Sequence, residues 1–592
     1  MVCIARRPTI LSRINIKNNH YTDYDNKADF NNTIICQIRK ICERKILINN
    51  QNIKVLKINK PFYIVSLFGF IGLNLLSAQV NPAEKQQKTA FTNPIIWADA
   101  PDLSITRNGD DFYLISTTMH LMPGAPVMHS RDLVHWEMSS YVFDRLNDNS
   151  KYDLLDGTVY GRGQWASSIR FHKGKYYVLF SPNDEPFKSY FYVSDNPEKG
   201  NWKLITRTRH FHDASLLFDD DDRVYVFTSN KVFELSPDFK EVIRNPEGTV
   251  VFEKDASETG LLEGNQIIKK DGKYYMMMIS WPRGGKRRQE VYRADQVAGP
   301  YEKKIILEDN FLGFSYAGQG ALIDDKNGNW YSLIFQDRNG VGRVPILIPV
   351  KWENGWPILG DNGKIPLNGE VPLPPFKPKN NIVESDEFAD KKLKIQWQWN
   401  HNPVNEAWSL SDRKGFMRLK TGRIVDNLYA APNTLTQRME GPKSTGIVAL
   451  DVKGMKDGDV TGFSAFNGDS GILSVVMEGS KKFVIFETDE VSLDNKTKAI
   501  LGVKKDEKKR FPLNSDKVYF KIDADFNLGK DVANFSYSTD QKNWIEMAKD
   551  YKMIFDYRRL FMGSKFAIFN YATKKLGGFV DVDFFRVNKS SE

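Results

Sequence analysis

The chain has 592 residues, of which 12% are aromatic, with 41 Gly and 26 Pro; this length exceeds a single core, and this composition is typical of short strands joined by turns. Of the formal net charge of +9, the first 79 residues supply +8, since they hold 12 Lys or Arg against 4 Asp or Glu and leave 71 against 70 for the rest. A nucleic-acid partner therefore loses its main support. All three cysteines precede residue 43, which excludes disulfides, thiolate metal sites and cysteine nucleophiles from the remainder.

The first predicted element is a secretory signal peptide. Lys57 and Lys60 precede an apolar run at 62–76, and small residues follow it up to Ala78, which is the pattern of a basic flank, an apolar core and a cleavage site. The run has 15 residues, fewer than the roughly 20 that a membrane-spanning helix needs. We predict cleavage near Ala78 and a secreted or periplasmic protein whose mature chain has no membrane span, with an uncut membrane anchor as the alternative.

Residues 1–52 are rich in Asn, Ile and Lys and show neither a strand period nor a helix period. Signal peptides seldom begin so far from the start of a chain, and we interpret this stretch as spurious or disordered. The predicted N-terminal segment, 1–79, therefore takes no part in the predicted fold.

A short phrase recurs five times between residues 92 and 373: a turn residue, one or two aromatic residues and an apolar run. The last aromatic residues of the copies are Tyr113, Tyr177, Tyr225, Tyr275 and Tyr331. A distinctive residue stands 11 or 12 positions before each of them, namely Asp102, Trp165, Asp213, Glu263 and Gln319. Short strands repeating about every 50 residues predict a five-bladed β-propeller over 92–373, in which equivalent positions of the blades meet at the central axis.

A linker and a second domain follow the repeats. Residues 369–378 contain four prolines, which is typical of a stiff, extended connection. From 381 to 592 the sequence alternates in short strands with polar turns, and this pattern favours a β-sandwich. The fold class is therefore all-β. The sandwich has three open roles: ligand binding, shielding of an active site, or stability.

Asp102, Asp213 and Glu263 each stand among apolar or small residues at the start of a predicted strand. A desolvated carboxylate is costly unless it has a partner or a purpose. Cleavage between sugars needs one protonated carboxyl group as acid and one ionised carboxylate as base, and a third carboxylate can raise the pKa of the acid. Three carboxylates in one phase of the repeat therefore indicate a glycosidase site.

Several sequence blocks make this interpretation specific. They are Asn93-Pro-Ile-Ile, Pro101-Asp-Leu-Ser, Ser130-Arg-Asp-Leu-Val-His-Trp, Trp165-Ala-Ser-Ser, His212-Asp-Ala-Ser-Leu, Leu262-Glu-Gly, Gly342-Arg-Val-Pro and Gly355-Trp-Pro-Ile-Leu-Gly. In this order and spacing they resemble glycoside hydrolase family 43, in its β-xylosidase and α-L-arabinofuranosidase branch. The C-terminal part is similar to the concanavalin-like sandwich often attached in that family.

The resemblance implies an inverting enzyme and a role for each matching residue. Asp102 is implied as the general base, Asp213 as the residue that modulates the pKa and orients the substrate, and Glu263 as the general acid. Trp165 is implied as a platform for a sugar ring and Arg343 as a ligand of sugar hydroxyls. Met119 stands where relatives often place an apolar wall residue.

Two positions depart from the family pattern. Relatives commonly have Trp-Ala-Pro-Asp where this chain has Trp165-Ala-Ser-Ser, a change that removes no catalytic group. Many relatives carry a histidine beside an axial calcium, and the matching residue here is Gln319. An amide oxygen can ligate calcium, so a structural calcium stays open while no cofactor is required.

The function predicted from the sequence is exo-acting removal of terminal xylosyl or arabinofuranosyl residues from plant cell-wall oligosaccharides or polysaccharides. An endo-arabinanase or a galactan-acting relative is the alternative among enzymes, because only the pocket walls would differ. A non-catalytic glycan-binding protein is a second alternative, against which the three acids argue. Preference for xylose or arabinose and the oligomeric state stay open at this point.

Overall fold

The computed structural model describes residues 87–308, 310–314 and 316–589. These residues belong to one compact unit, Pro82–Glu592, and the predicted signal-peptide segment lies outside the described residues. The helical elements of the described part are short 3₁₀ turns at Ser150–Asp153, Pro197–Lys199, Asn339–Val341, Asn405–Ala407 and Leu428–Ala430. Within this part, no helix is long and apolar enough to cross a membrane.

Strand β1 (Thr89–Thr92) precedes five antiparallel sheets that form the blades of a propeller. Blade 1 contains β2 (Ser104–Asn108), β3 (Asp111–Ile115), β5 (Gly124–Ser130) and β6 (Glu137–Phe143), with β4 (Leu121–Met122) leaving it for another sheet. Blade 2 contains β7 (Gln164–His172), β8 (Lys175–Pro182), β9 (Lys188–Ser194) and β10 (Lys203–Arg209). Blade 3 contains β11 (Ser215–Phe218), β12 (Val224–Thr228), β13 (Lys231–Leu235) and β14 (Thr249–Val250).

Blade 4 contains β15 (Leu261–Lys270), β16 (Lys273–Trp281), β17 (Arg288–Ala294) and β18 (Glu302–Leu307). Blade 5 contains β19 (Ala317–Asp324), β20 (Trp330–Asp337), β21 (Arg343–Glu353) and β22 (Trp356–Leu359). Strand β23 (Asn368–Val371) then pairs with β1, with Val371 opposite Thr89. The two ends of the propeller segment therefore meet, and the predicted five-bladed propeller is confirmed.

The recurring sequence phrase is the turn between the first two strands of each blade. Its turn residue has a φ between 63° and 83° in all five copies: Gly109, Gly174, Asp222, Gly272 and Gly328. Glycine adopts this left-handed region at little cost. The repeat visible in the sequence is thus the inner hairpin of every blade.

The apolar runs that follow the turns are buried between neighbouring blades. Tyr225 of blade 3 shares one buried cluster with Ile267 and Met276 of blade 4. Strands covered on both faces read as continuous apolar runs rather than alternating ones, and 275–279 is such a run. This packing holds the first strands of the blades, and the residues that precede them, around the axis.

Two large antiparallel sheets form the C-terminal β-sandwich. One has the order β32-β31-β30-β29-β36-β27-β24-β4 and the other the order β25-β26-β37-β28-β33-β34-β35. These strands are β24 (Gln398–Asn400), β25 (Trp408–Ser409), β26 (Met417–Lys420), β27 (Leu435–Arg438), β28 (Lys443–Asp451), β29 (Asp459–Phe466), β30 (Asp469–Glu478), β31 (Lys481–Leu493), β32 (Ile500–Leu513), β33 (Lys517–Asp525), β34 (Val532–Ser538), β35 (Ile545–Lys552), β36 (Lys565–Ala572) and β37 (Phe579–Lys589).

The propeller and the sandwich share buried structure. β4, which lies between two strands of blade 1, pairs with β24 so that Met122 stands opposite Trp399. Val341 and Val344 of the propeller belong to the same buried cluster as the sandwich core. The domain limits 92–373 and 381–592 stay predictions, but the two folds are packed as neighbours.

Candidate active site

The five residues that share a phase of the repeat line one cavity. Asp102, Trp165, Asp213, Glu263 and Gln319 come from blades 1 to 5 in order and surround a cavity of about 190 Å³. An engineered protein cavity of about 150 Å³ accommodates benzene. The cavity on the propeller axis is therefore of the size of one sugar ring.

The backbone presents these side chains through local irregularities. Asp102, Asp213 and Gln319 have φ values of 57°, 43° and 57°, in the left-handed region that costs non-glycine residues free energy and is concentrated at functional sites. Glu263 lies at a break in the β15–β16 register, and the next residue, Gly264, has a φ of 73°. Bulges of this kind redirect a side chain out of the regular ladder.

Asp213 and Glu263 lie side by side with His212 between them. The His212 Nε2 atom is 3.2 Å from Oε2 of Glu263 and 3.8 Å from Oδ1 of Asp213. Asp213 is buried, whereas the Glu263 side chain is 27% exposed. Oδ1 of Asp213 is buried and has no hydrogen-bond partner within the described part of the chain, so it is free to accept one from a bound molecule.

Asp102 faces the cavity together with Arg343. Nη1 of Arg343 lies 3.3 Å from Oδ1 of Asp102, and the guanidinium stacks at 4.6 Å over the ring of Phe561. The backbone N–H of Arg343 donates to Asp99, at 2.9 Å. Nε of Arg343 is buried without a partner among the described residues, and it is a second polar atom left over for a ligand.

Trp165 and Met119 differ in position. The Trp165 ring lines the cavity, 5.7 Å from the ring of His212, and its Nε1 donates to the carbonyl of Gly161. Met119 is buried, exchanges backbone hydrogen bonds with Gln164, and lines a smaller neighbouring cavity together with Arg343 and Phe561. Met119 thus lies behind the wall and does not line the cavity that holds the acids.

Sequence reasoning missed the two aromatic residues that the sandwich contributes to the site. Tyr557 and Phe561 lie in the sandwich, between β35 and β36, and both line the cavity. The Tyr557 hydroxyl donates to Oδ2 of Asp337 at 2.6 Å, and Arg287 binds the same oxygen at 2.9 Å. The remaining lining residues are Leu261, Ile279, Trp281, Arg287 and Phe335. Nothing in the local sequence marks Tyr557 or Phe561, whereas His212 could have been noticed beside Asp213.

Comparison with known proteins agrees with this geometry. Residues 91–357 match the model of the family Glycosyl hydrolases family 43, and residues 385–588 match the Beta xylosidase C-terminal Concanavalin A-like domain. A non-reducing end alpha-L-arabinofuranosidase from Bacteroides ovatus is 31% identical, over 62% of this chain and 71% of the relative. The chain belongs to glycoside hydrolase family 43.

Further relatives extend over both folds of this family 43 protein. A beta-xylosidase from Formosa agariphila is 27% identical, over 86% of this chain and 92% of the relative. A solved structure from Bacteroides eggerthii, titled bifunctional GH43-CE, is 41% identical with a TM-score of 0.77, over 86% of this chain and 64% of that chain. This chain is a glycoside hydrolase, and it spans about two thirds of the length of that structure.

In this family 43 enzyme, the side chains of Asp213 and His212 keep their protons near neutral pH. Burial, with the neighbouring Glu263 carboxylate, raises the pKa of Asp213 to about 8 against the opposing charge of His212. The hydrogen bond to Glu263 raises the pKa of His212 to about 9 against the effect of burial. Near neutral pH a proton therefore stays beside Glu263, where a general acid needs one.

Opposing effects act on the pKa of Asp102. Burial raises its pKa, while the charge of Arg343 acts to lower it, and the net direction is upward. The positive charge of Arg343 stabilises the ionised form that a general base requires. Activity should consequently decrease as the pH falls far enough to protonate Asp102.

A calcium ion on the axis does not fit the residues present. The oxygen atoms of Ser104, Ser215 and Gln266 that face the axis accept hydrogen bonds from the guanidinium of Arg170. A divalent cation needs such oxygens as ligands and would be repelled by the guanidinium. Nearer the mouth, ligand atoms of His212, Asp213 and Glu263 lie within 4.8 Å of one another.

Proposed function

We propose that this enzyme is an inverting exo-glycosidase that removes terminal β-D-xylosyl or α-L-arabinofuranosyl residues from plant cell-wall glycans. The observation that carries the proposal is the arrangement of three carboxyl groups from three blades around one cavity of about 190 Å³. The names of the relatives from Formosa agariphila and Bacteroides ovatus support the pentose substrate.

In the proposed mechanism Glu263 is the general acid. Its carboxyl group gives a proton to the glycosidic oxygen as the bond to the anomeric carbon breaks. Asp213 lies next to it, buried and with a raised pKa, so that a proton is held beside Glu263 near neutral pH. Asp102, on another blade, takes a proton from the water that attacks the anomeric carbon from the opposite face.

Two other side chains are proposed to hold the sugar. Arg343 has an unpartnered Nε among the described residues, beside its pair with Asp102, and can donate to a ring hydroxyl. Trp165 lies 5.7 Å from His212 and 5.8 Å from Phe561, and sugar rings stack on such aromatic faces. Met119 supports Arg343 and Phe561 from behind, which is a smaller role than a wall residue would have.

The small volume of the cavity, about 190 Å³, favours exo action over the endo alternatives. Tyr557 and Phe561 of the sandwich complete the wall, whereas an endo-arabinanase or galactan-acting enzyme needs a cleft open at both ends. Product analysis on linear arabino- and xylo-oligosaccharides distinguishes them, because an exo enzyme releases monosaccharide from the first turnover. Proton NMR of the fresh product reports whether the anomeric configuration has been inverted.

We further propose that the protein is exported after cleavage near Ala78, so that it meets extracellular glycans. The support is the basic flank and apolar run that precede this residue. N-terminal sequencing of the protein recovered from the periplasm and the culture medium tests the cleavage position. Recovery of the intact N-terminus in the cytoplasm alone would contradict it.

The assignment of the acid is tested with Glu263→Ala on two kinds of substrate. We expect a loss of about 10²- to 10⁴-fold in kcat on xylobiose or arabinobiose, the range for a missing general acid. On dinitrophenyl glycosides the loss should be much smaller, because that leaving group departs without a proton.

Glu253→Ala is the matched control, because Glu253 is an exposed glutamate before the first strand of the same blade. It should retain wild-type activity on both substrates. Full activity of Glu263→Ala on the oligosaccharides would contradict the assignment of Glu263 as the general acid. Paired assays of the wild-type enzyme on 4-nitrophenyl xyloside and arabinofuranoside decide which pentose it prefers.

A further inference from the structure

A single arginine fills the propeller axis beneath the catalytic cavity. Arg170 lies on β7 of blade 2, and its guanidinium makes five hydrogen bonds. Nη1 donates to Oγ of Ser104 at 3.2 Å and to the carbonyl of Ile169 at 2.7 Å. Nη2 donates to Oγ of Ser215 at 2.8 Å, to Oε1 of Gln266 at 3.3 Å and to the carbonyl of Ile267 at 3.0 Å. One side chain therefore reaches three other blades.

Each of these blades carries one of the catalytic carboxyl groups just before the contact. Ser104 follows Asp102 by two residues, Ser215 follows Asp213 by two, and Gln266 follows Glu263 by three. Two residues of a strand span about 7 Å. The guanidinium thus binds all three acid-bearing strands one layer below their acids.

The serine and glutamine side chains complete a network around the guanidinium. Oγ of Ser104 donates to Oε1 of Gln266 at 2.9 Å and accepts from the backbone N–H of Ile169 at 3.1 Å. Oγ of Ser215 accepts from the N–H of Ile267 at 3.0 Å. Through these side chains the inner strands of neighbouring blades are joined to one another, so that a shift of one blade disturbs its neighbours.

Arg170 carries a charge that nothing in the known reaction uses. None of the ion pairs among the described residues includes it, and burial lowers its pKa to about 10, so it stays charged at neutral pH. A cation that is partly buried and lacks a carboxylate partner is costly unless its donors are satisfied. The five hydrogen bonds meet this need, and they occupy the oxygens that a metal ion would require.

We propose that Arg170 is a positioning residue that takes the place of an axial metal ion and holds the strands of Asp102, Asp213 and Glu263 in catalytic register. The inference rests on the proposed function only for the identity of the three acids. It implies an enzyme whose activity is independent of divalent metal ions.

The first test is Arg170→Met, which keeps the length of the side chain and removes its donors. We expect kcat to fall about 100-fold, the effect of a misplacement of about 1 Å, while KM changes much less because Arg343 and Tyr557 remain. The loss should be equal on dinitrophenyl glycosides and on xylobiose, unlike the loss in Glu263→Ala. Arg170→Lys keeps the charge with fewer donors and should be intermediate.

Arg107→Met is the matched control. Arg107 lies on β2, like Ser104, and joins two blades through Asp324 of β19 at 2.9 Å, but it lies three residues farther from Asp102 than Ser104 does. The Arg107→Met substitution should lower the melting temperature without lowering kcat. If Arg107→Met and Arg170→Met reduce kcat equally, Arg170 is merely structural and the proposal is wrong.

Chemical rescue separates positioning from general damage. In Arg170→Ala, added guanidinium at millimolar concentration should restore part of kcat, whereas sodium and ammonium should not. Wild-type kcat in Arg170→Met and Arg170→Lys would overturn the proposal, as would an Arg170→Ala variant that guanidinium fails to rescue.

The test for a bound metal ion does not depend on the substrate. The purified wild-type protein should contain no stoichiometric calcium by elemental analysis, and its melting temperature should be the same in EDTA and in CaCl₂. One bound calcium per chain, or a melting temperature that EDTA lowers, would contradict the proposal that Arg170 takes the place of a metal ion. Absence of wild-type turnover on both aryl pentosides would refute the proposed function instead, and this metal test would still decide the inference.

Discussion

The propeller and the sandwich both face the catalytic cavity, but they contribute in different ways. The propeller contributes one residue per blade at equivalent positions, besides further wall residues from blades 4 and 5, and the sandwich contributes Tyr557 and Phe561 from one irregular segment. The propeller positions follow from a repeated hairpin, whereas the sandwich positions depend on how two folds pack. The comparison shows that the repeated blades supply the three carboxyl groups, whereas the packing of the sandwich against the propeller completes the wall of the pocket.

The largest expected effect concerns the propeller side. Asp102→Asn removes the proposed base and keeps the shape of the side chain, and kcat should fall about 10²- to 10⁴-fold on aryl and natural glycosides alike. Steady-state kinetics on both substrates check this expectation. Asp110→Asn, at an exposed aspartate in the first hairpin of the same blade, is the control that should retain activity.

The second prediction concerns the interface that joins the two folds. Lys565 of the sandwich is buried and lies 3.3 Å from the buried Asp99, which also accepts from the backbone N–H groups of Arg343 and Gly563. Lys565→Met leaves Asp99 without this partner, and unfolding should become easier by about 3–5 kcal/mol. Urea denaturation measures the change.

The matched control for the interface is an exposed pair on the same sandwich. Lys574 and Asp457 have side chains that are 58% and 36% exposed, and Lys574→Met should cost less than about 1 kcal/mol. Equal effects of the two substitutions would show that the buried pair contributes no more than a surface pair does.

The third prediction concerns the sandwich side of the cavity. Phe561→Ala removes an aromatic wall and the stacking partner of Arg343 at 4.6 Å. KM for terminal pentosides should rise about 10-fold, the usual size of one lost apolar contact in a substrate pocket, while kcat changes less. Phe511→Ala, on an exposed strand of the sandwich, is the control, and an unchanged KM in Phe561→Ala would place the sandwich outside substrate binding.

The smallest effect is a shift of the pH profile. The charge of His212 lowers the pKa of Asp213, which burial and Glu263 raise to about 8. Activity should therefore decline as the pH rises through about 8 and the acid cluster loses its proton. His212→Gln removes the positive charge but keeps a hydrogen-bond donor, so the carboxyl pKa should rise and the alkaline limb of kcat should move up by about one pH unit.

The His212→Gln profile also has a clear contrary outcome. A downward shift of the alkaline limb would mean that His212 supplies the proton itself rather than lowering the pKa of the carboxyl pair. His135→Gln, at a partly exposed histidine that pairs with Asp132 in blade 1, should leave the profile unchanged.

Much of the propeller could be predicted because its signal is local. The left-handed turn of each inner hairpin selects glycine or aspartate, and counting back from it reaches Asp102, Asp213 and Glu263. Met119, which the resemblance alone implied as a wall residue, has its side chain in another cavity beside Arg343. The side-chain partners of Arg170 could not be predicted, because they lie on three other blades, 45 to 96 residues away in the chain.

The sequence by itself determined the five-fold repeat, the family and the phase of the three acids, because period and turn chemistry act within a few residues. Only the tertiary structure decided the size of the cavity, the contact of His212 with Glu263, the filling of the axis by Arg170 and the closure by Phe561. Phe561 and Arg343 are 218 residues apart in the chain. Contacts at such separations arise from the packing of blades and sheets against each other, and no local pattern encodes them.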